Sequence, residues 1–348
     1  MNPPHANLPH VSPVDASTMP ELRARLDGKA KPLGALGRIE DLAVQLGLIA
    51  NGSPPSFDRA LLLVFAGDHG LNQEGVSSYP SSVTQAMVAT FLAGKAAANA
   101  FAQAVGAQLR VVDAGVDGDL PAHPALLDEK VRRGTRNAAA EAALSREETV
   151  KALEVGARIA RDAAGEGFEI LALGEMGIGN SASAALIMHR LAPAPLEDCV
   201  GRGAGHDDAG LARKLATLQR AAARSVATDP LDVLTEFGGL EIAMMSGAII
   251  GAASAGLPVL VDGFITSAAA LAAIRLVPAV EGYCVFCHRS AEQGHQRMLQ
   301  ALQAEPLLAL DLRLGEGTGA LLALPLARAA SRLLNQVASL DDVLSGRL

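Results

Sequence analysis

Short apolar runs that stop at a polar residue or a glycine turn recur along this chain, and segments with helical spacing lie between them. "ALLLVF" at 60–65 opens the series, and its continuation "AGDHG" stops at Asp68 and His69. "LRVVDAG" stops at Asp113, "FEILALGEMG" at Glu175, "LPVLVDG" at Asp262 and "YCVFCHRS" at His288. "LLALDLRLGEG", stopping at Glu316, is the sixth candidate strand. Runs that are apolar throughout, rather than at alternate positions, predict strands buried on both faces.

The segments between them have the 3.6-residue period. Residues 19–50 read as two helices broken at Gly28 to Gly37, with Ile39, Leu42 and Leu46 on one face. Ser145 and Glu148 have capping-box spacing ahead of Val150, Leu153, Ala157 and Ala160. Asp207 and Asp208 suit the first turn of a helix carrying Leu211, Leu215, Leu218 and Ala222 on one side. The fold class that follows is α/β, a mostly parallel sheet covered by helices. Ligands of such sheets bind outside the carboxyl ends of the strands. A cleft lined by several of Asp68, Asp113, Glu175, Asp262, His288 and Glu316 is therefore expected.

Composition narrows the picture. Half of the 348 residues are apolar but only 3% are aromatic, so the core must be built from Ala, Leu, Val and Ile. A balance of 29 Lys+Arg against 37 Asp+Glu gives −8 with no dense basic cluster, which argues against nucleic acid as a partner. An anionic small molecule stays open, because glycine loops and helix N-termini bind anions without net positive charge. Residues 1–18 are rich in Pro and polar residues, lack an apolar signal core, and read as a flexible arm. Ile242 to Val261 carries no charge over 20 residues, but its glycines and proline favour a buried helix followed by a buried strand over a membrane span. Three cysteines are too few for a disulfide framework, and a cytoplasmic location is the expectation. Cys284, Cys287 and His288 match the C-x-x-C-H haem-attachment pattern, yet two thiols on a buried strand explain them more simply.

Several segments carry possible chemistry. "GEMGIGNSASAAL" (174–186) follows a strand and opens a helix. Gly174, Gly177 and Gly179 permit close backbone approach there, and Asn180 or Ser181 can cap the helix, the setting in which exposed amides cradle phosphate. The spacing is neither that of a P-loop nor that of a dinucleotide fingerprint, and a ligand-free βα turn remains an alternative. "VGRGAGHDDAGLARK" (200–214) is a second glycine loop, with Lys214 placed either to swing back to a phosphate or to sit in solvent. His288, Glu292 and His295 have i, i+4, i+7 spacing and could share a helical face, but Ser290 with Gln293 also reads as a capping box, and helix-start hydrogen bonding is the preferred assignment. "GDHG" (67–70) is no metal site by itself, and none is expected. In "RLGEGTGA" (313–320), two glycines strip side-chain bulk from around Glu316, so that a flat ligand can lie beside the carboxylate. A solvated turn fits the same letters; burial would instead raise the Glu316 pKa and make it a better base.

Taken in order, "KPLGALGRIEDLA", "AGDHGLNQEGVSSYPSSVT", "GEMGIGNS", "VGRGAGHDDAG", "HRSAEQGH" and "LRLGEGTGA", with the segments between them, resemble the nicotinate-nucleotide–dimethylbenzimidazole phosphoribosyltransferase family from about Lys31 to Leu340. The resemblance implies transfer of phosphoribose from nicotinate mononucleotide to 5,6-dimethylbenzimidazole, without a cofactor, in assembly of the cobalamin lower ligand. It implies a Rossmann-like sheet (57–321), a small helical lobe made from 19–56 and 322–348, and a homodimer. Glu316 falls on the family's catalytic glutamate, and Glu175 on a second active-site glutamate. Nucleotide phosphate and ribose are expected near Gly174, Gly177, Ile178, Gly179, Asn180, Ser181, Gly203 and Lys214. The base pocket is expected to involve Ser78, Tyr79, Gln85, Leu314 and Gly315. Here "VTQAM" (83–87) stands where the family usually reads V-T-x-Q-M, which turns Gln85 by about 100° around a helix. A different acceptor base, or a nucleotide-binding protein without catalysis, are the rival readings.

Overall fold

The all-apolar run opening at Ala60 forms the central strand of the sheet. A computed structural model describes residues 6–203 and 205–347. The strands are β1 (Ala60–Gly67), β2 (Gln108–Gly115), β3 (Leu126–Asp128), β4 (Ile170–Met176), β5 (Val259–Val261) and β6 (Cys284–Phe286). All neighbouring pairs are parallel, in the order β3-β2-β1-β4-β5-β6. This is the doubly wound order in which the winding reverses between β1 and β4.

The helices are α1 (Met19–Asp27), α2 (Arg38–Ile49), α3 (Ser82–Leu92), α4 (Ala97–Val105), α5 (Arg146–Gly165), α6 (Asn180–Leu191) and α7 (Leu196–Cys199). They continue as α8 (Asp208–Arg224), α9 (Pro230–Phe237), α10 (Leu240–Ser254), α11 (Phe264–Leu276), α12 (His295–Ala301), α13 (Thr318–Gln336) and α14 (Leu340–Leu344). Alternate residues of β1 feed two cores. Leu61, Leu63 and Phe65 pack with α5, α6, α10 and α11, while Leu62, Val64 and Ala66 pack with α2, α4 and α13. Both faces of the strand are thereby buried, which is why it is apolar throughout.

The uncharged stretch from Ile242 is the buried helix α10 followed by β5. Its glycines have a packing reason: a β-carbon on Gly247 would overlap the Leu153 carbonyl of α5, and one on Gly251 the Ala157 carbonyl. Among the described residues no helix is long and apolar enough to cross a membrane. The capping box holds, with Ser145 Oγ accepting from the Glu148 amide and Glu148 Oε2 from the Ser145 amide. Asp207 caps α8 by accepting from the Gly210 amide.

Two expectations change. The sixth strand is Leu126–Asp128, not the segment ending at Glu316. Residues 307–312 run beside β6 and the loop after it, but only Leu308 forms a bridge, with His288. Asp311 has φ +55° and Leu310 is exposed, so the ladder breaks there. The described part of the amino-terminal stretch is packed against the body: Val11 is buried, the Asn7 amide donates to Glu154, and Tyr283 donates to the Ser12 carbonyl. Residues 1–5 of that stretch lie outside the described residues.

Candidate active site

The crevice at the winding reversal is built from the residues that end β1 and β4. β4 runs directly into Glu175 and the turn Gly177–Gly179, and α6 starts at Asn180. The N-cap is Gly179, with φ +97°, and no side chain caps the helix. Asn180 and Ser181 are spent elsewhere: Asn180 donates to Glu175 Oε2, and Ser181 Oγ accepts from Lys214 at 2.9 Å. The Ile178 amide donates to Thr84 Oγ1 of α3 at 3.1 Å.

Glu316 comes to the same place through an unusual backbone. Gly315, Glu316 and Gly317 have φ of +85°, +61° and +80°, three left-handed residues in a row. For the glutamate this costs of order 1–3 kcal/mol, a strain that folds retain chiefly at functional sites. The turn rests on β4, where a β-carbon on Gly174 would stand 2.5 Å from the Glu316 carbonyl carbon. One on Gly315 would overlap Glu175 Oε1, and one on Gly317 would overlap Leu62. The glycines thus serve backbone geometry and protein packing, which corrects the reading that they clear room for a ligand.

The turn is clamped from the next strand. Asp262, just after β5, accepts from the Gly317 amide at 3.1 Å and from the Ala320 amide at 3.0 Å. Glu316 Oε2 in turn accepts from the Ala98 amide at 3.3 Å, in the first turn of α4. A helix start favours a carboxylate, yet burial outweighs that bond and, with the charge of Asp262, raises the Glu316 pKa. Burial, then Asp262 and Glu241, push Glu175 up to about 8 despite the Asn180 bond. The cleft therefore holds a neutral Glu175 at pH 7 beside a glutamate of heightened basicity.

The second glycine loop meets the first. Lys214, read as either reaching back or solvated, is completely buried on α8. Its ammonium donates to Ser181 Oγ and to the Gly201 carbonyl at 3.1 Å. It also stands 3.3 Å from where a β-carbon on Gly203 would be. Burial lowers its pKa to about 8 against the opposing charge of Glu292. A cation held between two glycine turns at a helix start suits a phosphate.

The residues expected for the base pocket are less converged. Ser78 Oγ pairs with His206 Nδ1 at 3.1 Å, and that histidine's Nε2 meets the Val76 carbonyl at 2.8 Å. This ties the loop carrying Ser78 and Tyr79 to the second glycine loop, and Val76 packs beside Gly179. Tyr79 and Leu314 are both exposed, at 49% and 56%. Gln85 donates to the Asp119 carbonyl at 2.8 Å, which directs it to the loop after β2.

Of the expected rim residues, Glu175, Asp262 and Glu316 come together. Asp68 accepts from the Asp117 amide and Asp113 pairs with Lys130 at 3.0 Å, so both secure the loop after β2. His288, Glu292 and His295 share no helical face, because α12 starts only at His295 with Gly294 as its N-cap. Ser290 and Gln293 form no capping box: Ser290 Oγ accepts from the Glu292 amide, and Gln293 donates to the Glu197 carbonyl. Cys284 and Cys287 are buried thiols with pKa raised by burial. No cluster of His, Cys, Asp and Glu suited to a metal occurs among the described residues.

Glu241 was not anticipated. It is fully buried at the start of α10, pairs with His69 Nε2 at 2.6 Å, and leaves Oε2 without a partner. His69 Nδ1 contacts Ser183 Oγ of α6 at 3.0 Å. Its signal in the sequence is a lone charge at the head of an apolar helix.

Known proteins match this arrangement over nearly its whole length. A family model described as phosphoribosyltransferase covers residues 11–343. A Cupriavidus necator protein named nicotinate-nucleotide–dimethylbenzimidazole phosphoribosyltransferase is 52% identical over 334 residues, covering 95% of this chain and 96% of its own. A Geobacter sulfurreducens protein of the same name is 45% identical over 337 residues, covering 96% of each. The crystal structure of CobT from Thermus thermophilus superposes with a TM-score of 0.91 at 44% identity, covering 94% of this chain and 98% of that one.

Proposed function

The chain belongs to the nicotinate-nucleotide–dimethylbenzimidazole phosphoribosyltransferase family, and from that premise we propose that its cleft moves phosphoribose from nicotinate mononucleotide to 5,6-dimethylbenzimidazole. The products are α-ribazole 5′-phosphate and nicotinate. One benzimidazole nitrogen attacks C1′ from the face opposite nicotinate, inverting β to α, and nicotinate leaves as its ring nitrogen becomes neutral. The other nitrogen gives its proton to Glu316. A single displacement involves no covalent glycosyl intermediate, so one base suffices and a retaining pair of carboxylates is not required. Holding both substrates in line supplies much of the rate by proximity.

The observation that carries this reading is Glu316, buried, fixed on a strained turn and raised in pKa at the crevice of the sheet. A binding protein would have no use for a base held in that state, which disfavours the non-catalytic alternative. Lys214, Ser181, Gly203 and the amides of Gly177 and Gly179 receive the 5′-phosphate and ribose, with Ile178 and Asn180 completing the turn, their own amides bound to Thr84 and the Gly177 carbonyl. Neutral Glu175 donates a hydrogen bond toward the ribose or the base. Ser78, Tyr79, Leu314 and Gly315 border the acceptor. The protein works as a cytoplasmic homodimer.

Purified protein mixed with nicotinate mononucleotide and dimethylbenzimidazole should release nicotinate and α-ribazole phosphate in equal amounts. No release beside an active control enzyme overturns the reading. A second reading keeps the reaction and changes the acceptor to another benzimidazole, adenine or a phenol. Gln85, bound to the Asp119 carbonyl, favours it. Competition among such bases decides, and strong preference for dimethylbenzimidazole rejects it.

A further inference from the structure

His288 fills the space between the turn that carries Asp262 and the start of α13. A β-carbon on Gly319, in the first turn of α13, would overlap the imidazole, and one on Gly263 would stand 3.1 Å from Nε2. The ring is 2% exposed, and its Nδ1 has no hydrogen-bond partner. Its polar contact is Nε2 to Asp262 Oδ1 at 3.5 Å, long for a hydrogen bond but effective as a dipole contact in a buried setting.

The ring is itself held. His295 meets it edge-on, with centroids 6.3 Å apart and planes at 68°. The Ser290 amide donates to His295 Nδ1 at 2.8 Å, so the proton must sit on Nε2, which donates to Ser267 Oγ of α11 at 2.9 Å. Burial and the neighbouring His288 push the His295 pKa down to about 3, leaving that ring neutral. A neutral, doubly bonded histidine is a fixed wall, and His288 lies between it and Asp262.

We propose that His288 is a positioning residue for Glu316, acting through Asp262. The inference rests on the reading of Glu316 as the base. Asp262 bonds the amide immediately after Glu316, so a small movement of Asp262 moves the Glu316 peptide. His288 touches both Asp262 and the helix that Asp262 caps, and it fixes their separation. Asp262 also sets charge: it faces Glu175 from β4, Glu316, His288 and the Cys287 thiol, while Glu241 adds its charge at Glu175. The imidazole N–H partly offsets the carboxylate field that reaches Glu175 and Glu316.

The test compares His288→Leu, His288→Gln and Asp262→Asn by melting temperature, KM, kcat and the pH profile of kcat/KM. His288→Leu should lower kcat about tenfold, short of the roughly 10²-fold cost of a 1 Å misplacement, with KM for both substrates unchanged. His288→Gln, whose amide can point an N–H at Asp262, should recover most of that loss. The acid limb of kcat/KM should move to higher pH in His288→Leu, where Asp262 is less offset, and to lower pH in Asp262→Asn. Wild-type kcat and acid limb in His288→Leu overturn the proposal. So does a His288→Gln protein, folded by its melting temperature, with the defect of the leucine variant. If His288→Leu does not fold, His288→Gln with near wild-type kcat and a lowered limb in Asp262→Asn support it, and an unmoved limb in Asp262→Asn overturns it. Glu316→Gln is assayed alongside. Full turnover there removes the base and this inference together, whereas a dead Glu316→Gln beside an unmoved His288→Leu profile removes this inference alone.

Discussion

Glu175 occupies the place where Gly315 would carry a side chain: a β-carbon on Gly315 would overlap its Oε1. One residue lies at mid-chain and the other near the carboxyl end, and their contact locks the Glu316 turn onto β4. Gly315→Ala must both adopt φ near +85° and displace Glu175. A loss of about 1–3 kcal/mol is expected, with a fall in kcat. Thermal melting and steady-state assay of the variant check both, and an alanine variant as stable and active as the parent contradicts the packing described.

Glu175 holds its proton to about pH 8 in the folded protein and loses it near the ordinary glutamate value when unfolded. A raised folded pKa contributes stability that is complete below the unfolded value and is lost as pH rises through the folded one. Wild-type melting temperature should therefore fall between about pH 4.5 and 8 more steeply than that of Glu175→Gln, whose amide is neutral throughout. Parallel melting curves against pH would show that Glu175 is charged.

Lys214 gives a binding prediction. Removing a buried charge-assisted donor costs about 1.5–3 kcal/mol, or roughly 10–10²-fold in affinity. Lys214→Met should raise the KM for nicotinate mononucleotide by that factor and leave the KM for the acceptor base little changed. In the wild type, the KM for the nucleotide should rise above pH 8 as the ammonium is lost. A methionine variant with an unchanged nucleotide KM places the phosphate elsewhere.

The parts of the fold written locally are legible in the sequence. β1, β4 and the capping box at Ser145 follow from period and short-range spacing, and so does the burial of α10. The third strand, Leu126–Asp128, is three residues long and follows closely on Pro121 and Pro124, so it presents no long apolar run. At the site, the letters place Glu175, Asp262 and Glu316 at strand ends, but their convergence depends on strand order. The Ala98 amide that holds Glu316 is 218 residues away in sequence, and the Glu241–His69 pair spans 172. No local pattern marks such contacts. The ring of His288 is the same case: its spacing to Glu292 and His295 suggests a shared helical face, while it packs among Asp262, two glycines and the edge of the His295 ring.

The central claim is that Glu316 takes the acceptor's proton, and single-turnover nicotinate release by Glu316→Gln tests it most directly. Glutamine keeps the shape and an acceptor for the Ala98 amide but cannot take the proton. The rate should fall on the order of 10²–10⁴, the usual scale for loss of a general base, with the melting temperature and the affinity for nicotinate mononucleotide retained. A folded Glu316→Gln protein that releases nicotinate at near the wild-type rate would contradict it.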